Sequence, residues 1–462
     1  MKQQLSITNG DHAIDCQAEL SFYTETVKVD SLSPRALFEA GAEHFSGKRF
    51  FWQNREKTFT LVGLGHAYTV ATNADDARYE QVERAWQHVL KNTDVTQMQQ
   101  QPILFGSFTF DPKKTKAAEW SAFPEGFFAL ATHQLVIRNE QIFMSTFYVS
   151  DAPITPEQRE KLCKERDELL HSAQVNGVSS FAKPTIESTV ERHKEAYLQS
   201  IANVTDRIKK QEADKVVIAR SLALTFEQPI TSDLLLAQIM NEQQESYLFV
   251  FERGEDFFFG ASPERLVMVK DNDAYSSCVA GSIKRGTTKT QDDAYGNELL
   301  NDAKNLQEHQ YVVDMIRQSF EENCEMYQLP NGPQLLKIRD IQHLFTPIEG
   351  QLKKEANILH MVQNLHPTPA LGGAPRKDAL EIIRDYEPTD RGVYAAPIGW
   401  MNATGDGEFA VAIRSALVHD QRAYLYAGGG IVADSVPQSE YEETLVKFRP
   451  MLRAFGGNLH DE

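Results

Sequence analysis

The chain is poor in cysteine, in positive charge and in long apolar runs. Its only cysteines are Cys16, Cys163, Cys278 and Cys324, and no two form a Cys-x-x-Cys pair. They read as four reduced thiols in a cytosolic protein, not as a disulfide framework. Lys and Arg number 47 against 65 Asp and Glu, a formal net charge of −18. Nucleic acids and anionic membranes are recognised through a basic footprint, so both are excluded as partners. No apolar run reaches the roughly 18 residues of a membrane span, and MKQQLSITNGDHAIDCQAEL has no apolar core of a signal peptide. The expectation is a cytoplasmic protein. There is no low-complexity segment and no repeated sequence. Gly63-Leu64-Gly65 and Gly428-Gly429-Gly430 each follow a strand-like run, but neither completes GxGxxG or has the acidic residue that should follow. That argues against a nucleotide-cofactor oxidoreductase. The first reads as a tight turn and the second as a backbone nest for an anion.

What is present is a chain of 462 residues, long enough for a large buried core. KRFFWQ, KTFTLVGLG, PILFGSFTF, GFFALATHQLVIR and QIFMSTFYV read as strands. DDARYEQVERAWQHVLKN reads as an amphipathic helix, with Ala77, Val82, Trp86, Val89 and Leu90 on one face. PITPEQREKLCKERDELLHSAQ reads as a polar helix. The breaker-rich VNGVSSFAKPTIES suggests a boundary. It divides an α/β subdomain over 1–185 from a second region over 190–455. There a helix near 191–213 precedes the strands KVVIARSLALTF, SYLFVFER, DFFFGASPERLVMVK and AYSSCVAG. Long helices around 293–323 and 353–364 follow, then the strands APIGWM, EFAVAIRSALV and RAYLYAGGGIV and a closing helix over 437–454. Strands in runs with helices in blocks predict an α+β fold with mostly antiparallel sheet.

Several residues in this frame could carry chemistry. Glu440, Glu443 and Lys447 share one narrow face of the closing helix. Two adjacent carboxylates would suit a hard cation with oxygen ligands, though Glu443–Lys447 also reads as a helical ion pair. Glu308 borders the apolar stripe of Val312, Val313 and Ile316, where a carboxylate needs a partner. His309 beside it reads as a core or surface histidine. Lys215 heads a β-branched strand; desolvation there would lower its pKa and make it a candidate base. Glu264 follows the turn Gly260-Ala261-Ser262-Pro263, and burial would raise its pKa toward that of a general acid. Each also has a plain reading as a strand-end lysine or turn glutamate.

In order, KVVIAR, GASPE, AGSIKRG, EHQYVV, HPTPALGGAPR, DRGVYAAPIGW, FAVAIRSA, YAGGGIV and SEYEETLVK resemble the blocks of the chorismate-utilising enzymes. The resemblance spans about 190–455. WQNREKTFTLVGLG is similar to the longer isochorismate synthases of the menaquinone pathway. The family implies one large fold of stacked, mostly antiparallel sheets with helices outside, and dependence on magnesium. It implies Lys215 as the base that activates water and Glu264 as the acid that protonates the departing C4 hydroxyl. Glu308 and Glu443 would bind the metal, with Glu440 reaching it through water, and Asn305 stands where several relatives have an acid. Arg414 and Tyr394 would hold the enolpyruvyl carboxylate. Gly281, Ser282, His343, Gly428 and Lys447 would complete the pocket. Chorismate is a dianion, so a positive pocket is required inside an acidic protein.

Two small residues choose among the family's reactions. Ala280 stands where aminodeoxychorismate-forming relatives carry a nucleophilic lysine. Ala370 stands where anthranilate and salicylate makers carry threonine, and TPAL resembles the isochorismate-forming enzymes. No LLES block for feedback tryptophan and no amidotransferase segment are present, so no amidotransferase subunit is expected. The alternatives are a salicylate synthase, an isochorismate synthase of a siderophore pathway, or a relative that binds without turnover.

Overall fold

The computed structural model describes residues 5–9, 12–15, 18–337 and 341–457, so Cys16 lies outside the described residues. The interiors of strands Arg49–Gln53, Tyr247–Arg253 and Asp256–Ser262 are apolar because both their faces are covered, and their polar residues stand at the strand ends. Their side chains alternate between two cores. Phe50, Trp52, Phe249, Phe251 and Phe258 enter one, and Phe51, Leu248, Val250, Phe257 and Phe259 enter the other.

Among the described residues the strands form two twelve-stranded sheets. Every strand pair among the described residues is antiparallel. Aromatic rings join the sheets face to face: Phe50 stacks on Phe105 at 4.7 Å and Phe127 on Phe251 at 5.6 Å. Helices Pro34–Ala40, Pro156–Asn176, Ser232–Glu242 and Pro437–Ala454 pack into the core on the outer side of one sheet. Arg78–Leu90, Ala303–Asn323 and Ile358–Leu365 pack on the other. This is the expected α+β stack. No helix among the described residues is long and apolar enough to cross a membrane, and Cys163, Cys278 and Cys324 are free thiols.

The topology repeats although the sequence does not. In one sheet, the strands run outward from the junction as 247–253, 256–262, 415–419, 422–431 and 215–226. In the other direction they run 49–53, 59–64, 133–138, 141–150 and 21–29. Both series use the same chain order. The halves meet where Tyr247–Arg253 pairs with Arg49–Gln53, and again where Pro397–Asn402 pairs with Ile103–Phe108.

Three local expectations change. GFFALATHQLVIR and EFAVAIRSALV each read as one strand, but each is two: Gly126–Leu130 with His133–Arg138, and Gly407–Val411 with Ser415–His419. One member of each pair lies in each sheet. The runs on either side of the GASP turn part in the same way. An uninterrupted apolar run does not reveal a crossing between two buried sheets, because both destinations are apolar. The helix expected over 293–323 breaks at Asp302, which ends one helix and caps the next by accepting from the Asn305 N–H. Finally, helix Arg376–Tyr386 and strand Ile341–Leu352 occupy segments where neither was expected.

Candidate active site

Two of these crossings build the site. Ser262-Pro263-Glu264 carries the chain from one sheet to the other, and Ala412-Ile413-Arg414 carries it back. They brace each other: the Ala261 N–H donates to the Arg414 carbonyl at 3.0 Å, and the Val411 N–H to the Glu264 carbonyl at 3.1 Å. Arg414 sits at φ +50. That left-handed conformation is costly for a side chain longer than glycine's, and such strain concentrates at functional sites.

A cavity of about 160 Å³ opens at these crossings. It brings together six of the expected residues, Glu264, Ala370, Tyr394, Arg414, Gly428 and Lys447. Glu264 faces the cavity but is otherwise enclosed by protein, and burial pushes its pKa up to about 7 against the pull of Arg414. It therefore keeps its proton below neutrality and is about half protonated near pH 7. Burial likewise raises the Tyr394 hydroxyl to about 12. Arg414 donates to the Lys447 carbonyl at 3.3 Å, and Lys447 donates to the Gly428 carbonyl at 2.8 Å and pairs with Glu443 at 2.7 Å.

The other seven expected residues are not among those that line it. Lys215 pairs with Glu308 at 3.8 Å. Burial lowers the lysine's pKa, Glu308 opposes this, and Lys447 adds to it. Burial raises the Cys278 thiol's pKa, the Glu264 charge adds to this and the Lys215 charge opposes it. Ser282 and His343 are cross-strand partners, with hydroxyl and ring nitrogen 2.6 Å apart. Burial, then the Arg414 charge, disfavours protonated His343. Gly281 forms the bulge at φ +80 that turns this stretch of Asp273–Lys284 out of regular register. Glu440 accepts from Ser435 at 2.7 Å, and burial followed by Glu443 raises its pKa. Among the described residues no three His, Cys, Asp or Glu side chains gather at metal-ligand geometry. Glu308, Glu440 and Glu443 instead each rest on a different neighbour.

The glycine run changes meaning. Gly428–Gly430 lie in regular strand, in register with Ala219, Ile218 and Val217, so they form no anion nest. Their smallness serves side chains. A Cβ at Gly430 would stand 2.5 Å from Lys215 Cε. His309 is a core residue, bonded to Thr346 at 2.8 Å and the Ala280 carbonyl at 3.0 Å, and so pins the helix that carries Glu308.

Of the lining residues that were not expected, two carry polar side chains, Arg391 and Tyr426. Arg391 is buried, forks onto Glu387 and donates to the carbonyls of Leu371 and Val217 at 2.8 Å each. It ties the Ala370 loop to the Lys215 strand. Tyr426 stacks on Tyr394 with ring centres 5.3 Å apart. Both fall inside quoted motifs, DRGVY and YAGGGIV. Their pattern gave no sign that they face the same cavity as Glu264.

Residues 12–456 match the family described as chorismate binding enzyme. The chain is 41% identical over 439 residues to isochorismate synthase MenF of Bacillus subtilis, covering 93% of this chain and 92% of that one. It is 33% identical over 444 residues to the salicylate biosynthesis isochorismate synthase of Pseudomonas aeruginosa, covering 93% and 90%. Its fold matches the solved structure of MenF, the menaquinone-specific isochorismate synthase from Escherichia coli, with a TM-score of 0.79 at 24% identity over 95% of each chain. With the sheet crossings, the enclosed acid and the ordered motifs all accounted for along one continuous match, the chain belongs to the chorismate-binding enzymes.

Proposed function

We infer that the protein is an isochorismate synthase, which interconverts chorismate and isochorismate by adding water at C2 and releasing the C4 hydroxyl. The 41% identity to the Bacillus subtilis isochorismate synthase across nearly the whole of both chains supports this activity, and the salicylate-biosynthesis relative, more distant at 33%, is itself an isochorismate synthase; the likeness in fold to the menaquinone-specific enzyme of Escherichia coli supports a role in menaquinone synthesis. All residues lining the cavity come from 217–447, which supports assigning catalysis to the 190–455 region. The free thiols suit a cytoplasmic setting.

The observation that carries the mechanism is Glu264, a carboxyl that stays protonated to about pH 7 inside a cavity also lined by Arg414. Such a group can donate a proton to a leaving hydroxyl at physiological pH. Lys215, its pKa lowered by burial, accepts a proton from the water that attacks C2. The diene shifts, and the C4 oxygen departs as water with the Glu264 proton. Arg414 and the Tyr394 hydroxyl hold the enolpyruvyl carboxylate. Gly281, Ser282, His343, Gly428 and Lys447 shape the rest of the pocket.

The carboxylates suit magnesium by donor chemistry. They offer only hard oxygen ligands, and the mutual repulsion of Glu440 and Glu443 is what a cation would relieve. Glu308 and Glu443 would hold it directly and Glu440 through water. When bound it supplies positive charge for the ring carboxylate.

Incubating the protein with chorismate, with and without magnesium, and identifying the product by chromatography tests this reading. Isochorismate without pyruvate is expected. Salicylate with pyruvate would overturn it in favour of a salicylate synthase, and binding without turnover would make the chain a silent relative. Lys215→Ala and Glu264→Ala should each lower turnover by roughly 10²–10⁴; near-normal turnover in either would remove that residue from the mechanism.

A further inference from the structure

A second cavity, of about 440 Å³, lies behind the wall of the first. Its lining includes Arg78, Phe110, His366, Pro367 and Arg376. The segment from His366 to Leu371 separates the two: His366 and Pro367 face the second cavity, Ala370 and Leu371 the first. Phe110 faces the second, and the guanidinium of Arg391, which lines the first, sits 4.0 Å from its ring centre.

The chemistry of this cavity is unbalanced. Arg78 is only 4% exposed. It donates to the hydroxyls of Thr109 at 3.1 Å and Tyr79 at 3.2 Å, while its Nε has no acceptor among the described residues. Arg376 donates to the Asn364 carbonyl. Among the described residues neither guanidinium forms a carboxylate pair, whereas the nearby Arg384 and Lys113 do, with Asp111 and Asp76. The remaining acids of the lining, Asp75 and Glu381, are exposed. Buried charge normally has a counter-charge.

Two helices also begin here. Arg78–Leu90 and Arg376–Tyr386 both start at the cavity, and neither has a capping side chain at its N-terminus. Their free N–H groups and helix dipoles add to the positive potential. His366 reports the same field: burial, then Arg78, and more weakly Arg376, disfavour its protonated form.

We propose that this cavity is a second anion site, distinct from the substrate cavity, that takes a small molecule with a carboxylate or phosphate head. Arg78 and Arg376 bind the head, and the apolar side chains of Phe110 and Pro367 flank its body. The volume lies within the range of small-ligand pockets.

The test is calorimetric titration of the full chain with inorganic phosphate and, separately, with benzoate, at constant ionic strength. Saturable binding of at least one probe is expected, and the preferred probe identifies the head group. Both cavities contain arginine, so two variants separate them. Arg376→Met should weaken binding about tenfold or more, the loss of a charge-assisted contact, while Arg414→Met, in the substrate cavity, should leave it unchanged. Should Arg376→Met fold poorly, Lys377→Glu on the exposed rim should also weaken binding severalfold. Binding that is lost in Arg414→Met and kept in Arg376→Met or Lys377→Glu would place the anion in the substrate cavity and overturn the proposal. So would the absence of saturable binding for both probes.

Discussion

Gly430→Ala tests the Lys215 assignment without touching a polar group. A Cβ at Gly430 would stand 2.5 Å from Lys215 Cε and 3.2 Å from Nζ, where ordinary contact begins at 3.4 Å. The end of the lysine must therefore move by about 1 Å, and a displacement of that size at a reacting group costs about 10²-fold in rate. Stability should barely change. The atom that gives way is the far end of a flexible side chain, and replacing glycine within a strand is, if anything, favourable by about 0.5 kcal/mol. The expected variant has kcat lowered about 100-fold, KM for chorismate within about threefold, and a melting temperature close to that of the parent, measured by isochorismate formation and thermal denaturation. A double variant settles the route. If Gly430→Ala acts through the lysine, then Lys215→Ala with Gly430→Ala should be no slower than Lys215→Ala alone. Full activity in Gly430→Ala, or additive losses in the double variant, would refute Lys215 as the base held against this glycine.

Glu264 offers a test independent of turnover. Its pKa lies near 7 when folded against an ordinary 4.5, so between those values the folded state holds a proton that the unfolded chain releases, and stability falls as pH rises through that window. By pH 8 the cost is roughly 3 kcal/mol. Glu264→Gln should therefore melt above the parent at pH 8 and close to it near pH 5; equal melting at pH 8 would show that the carboxyl is not held protonated. Arg391→Met would leave buried Glu387 unpaired and should cost about 3–5 kcal/mol in denaturant unfolding; a loss under about 1 kcal/mol would show that the fork does not anchor the Ala370 loop. Glu443→Ala should raise the magnesium concentration needed for half-maximal activity at least tenfold, read from a magnesium titration of the rate, and an unchanged titration would remove Glu443 from the metal site.

The sequence carried the strands, their burial and the chemistry in its motifs more clearly than it carried the geometry. Periodicity located KRFFWQ and KVVIAR because each strand repeats a local rule. It could not divide EFAVAIRSALV between two sheets, because the rule is the same in both. Arg414 was therefore expected as a strand residue, and the structure puts it at a left-handed crossing. The topological repeat was invisible for a related reason: antiparallel sheets constrain only polarity and size at each position, and many sequences satisfy them. Arg391 was missed because its partners, Glu387 apart, are backbone carbonyls at 217 and 371, which leave no trace in residue type.

On the proposed reading, a protein of net charge −18 receives a dianion through where its cations sit, not through how many there are. Arg391 is spent on Glu387, and Lys447 is shared with Glu443 and the Gly428 carbonyl. Arg414 has only the Lys447 carbonyl as a hydrogen-bond acceptor among the described residues. Burial itself pushes its pKa down, so it holds charge at a cost that an incoming carboxylate would relieve. Among the described residues the one carboxyl in the lining, Glu264, is kept neutral to about pH 7 by the same enclosure. Burial thus removes the negative charge from the cavity and leaves the positive charge underused. Both effects come from the two mutually braced crossings between the sheets. On the proposed reading, the local field that would steer and hold an anion is a property of the fold at 262–264 and 412–414, and distant surface acids have little say in it, because exposed charges beyond about 10 Å are screened at ordinary salt.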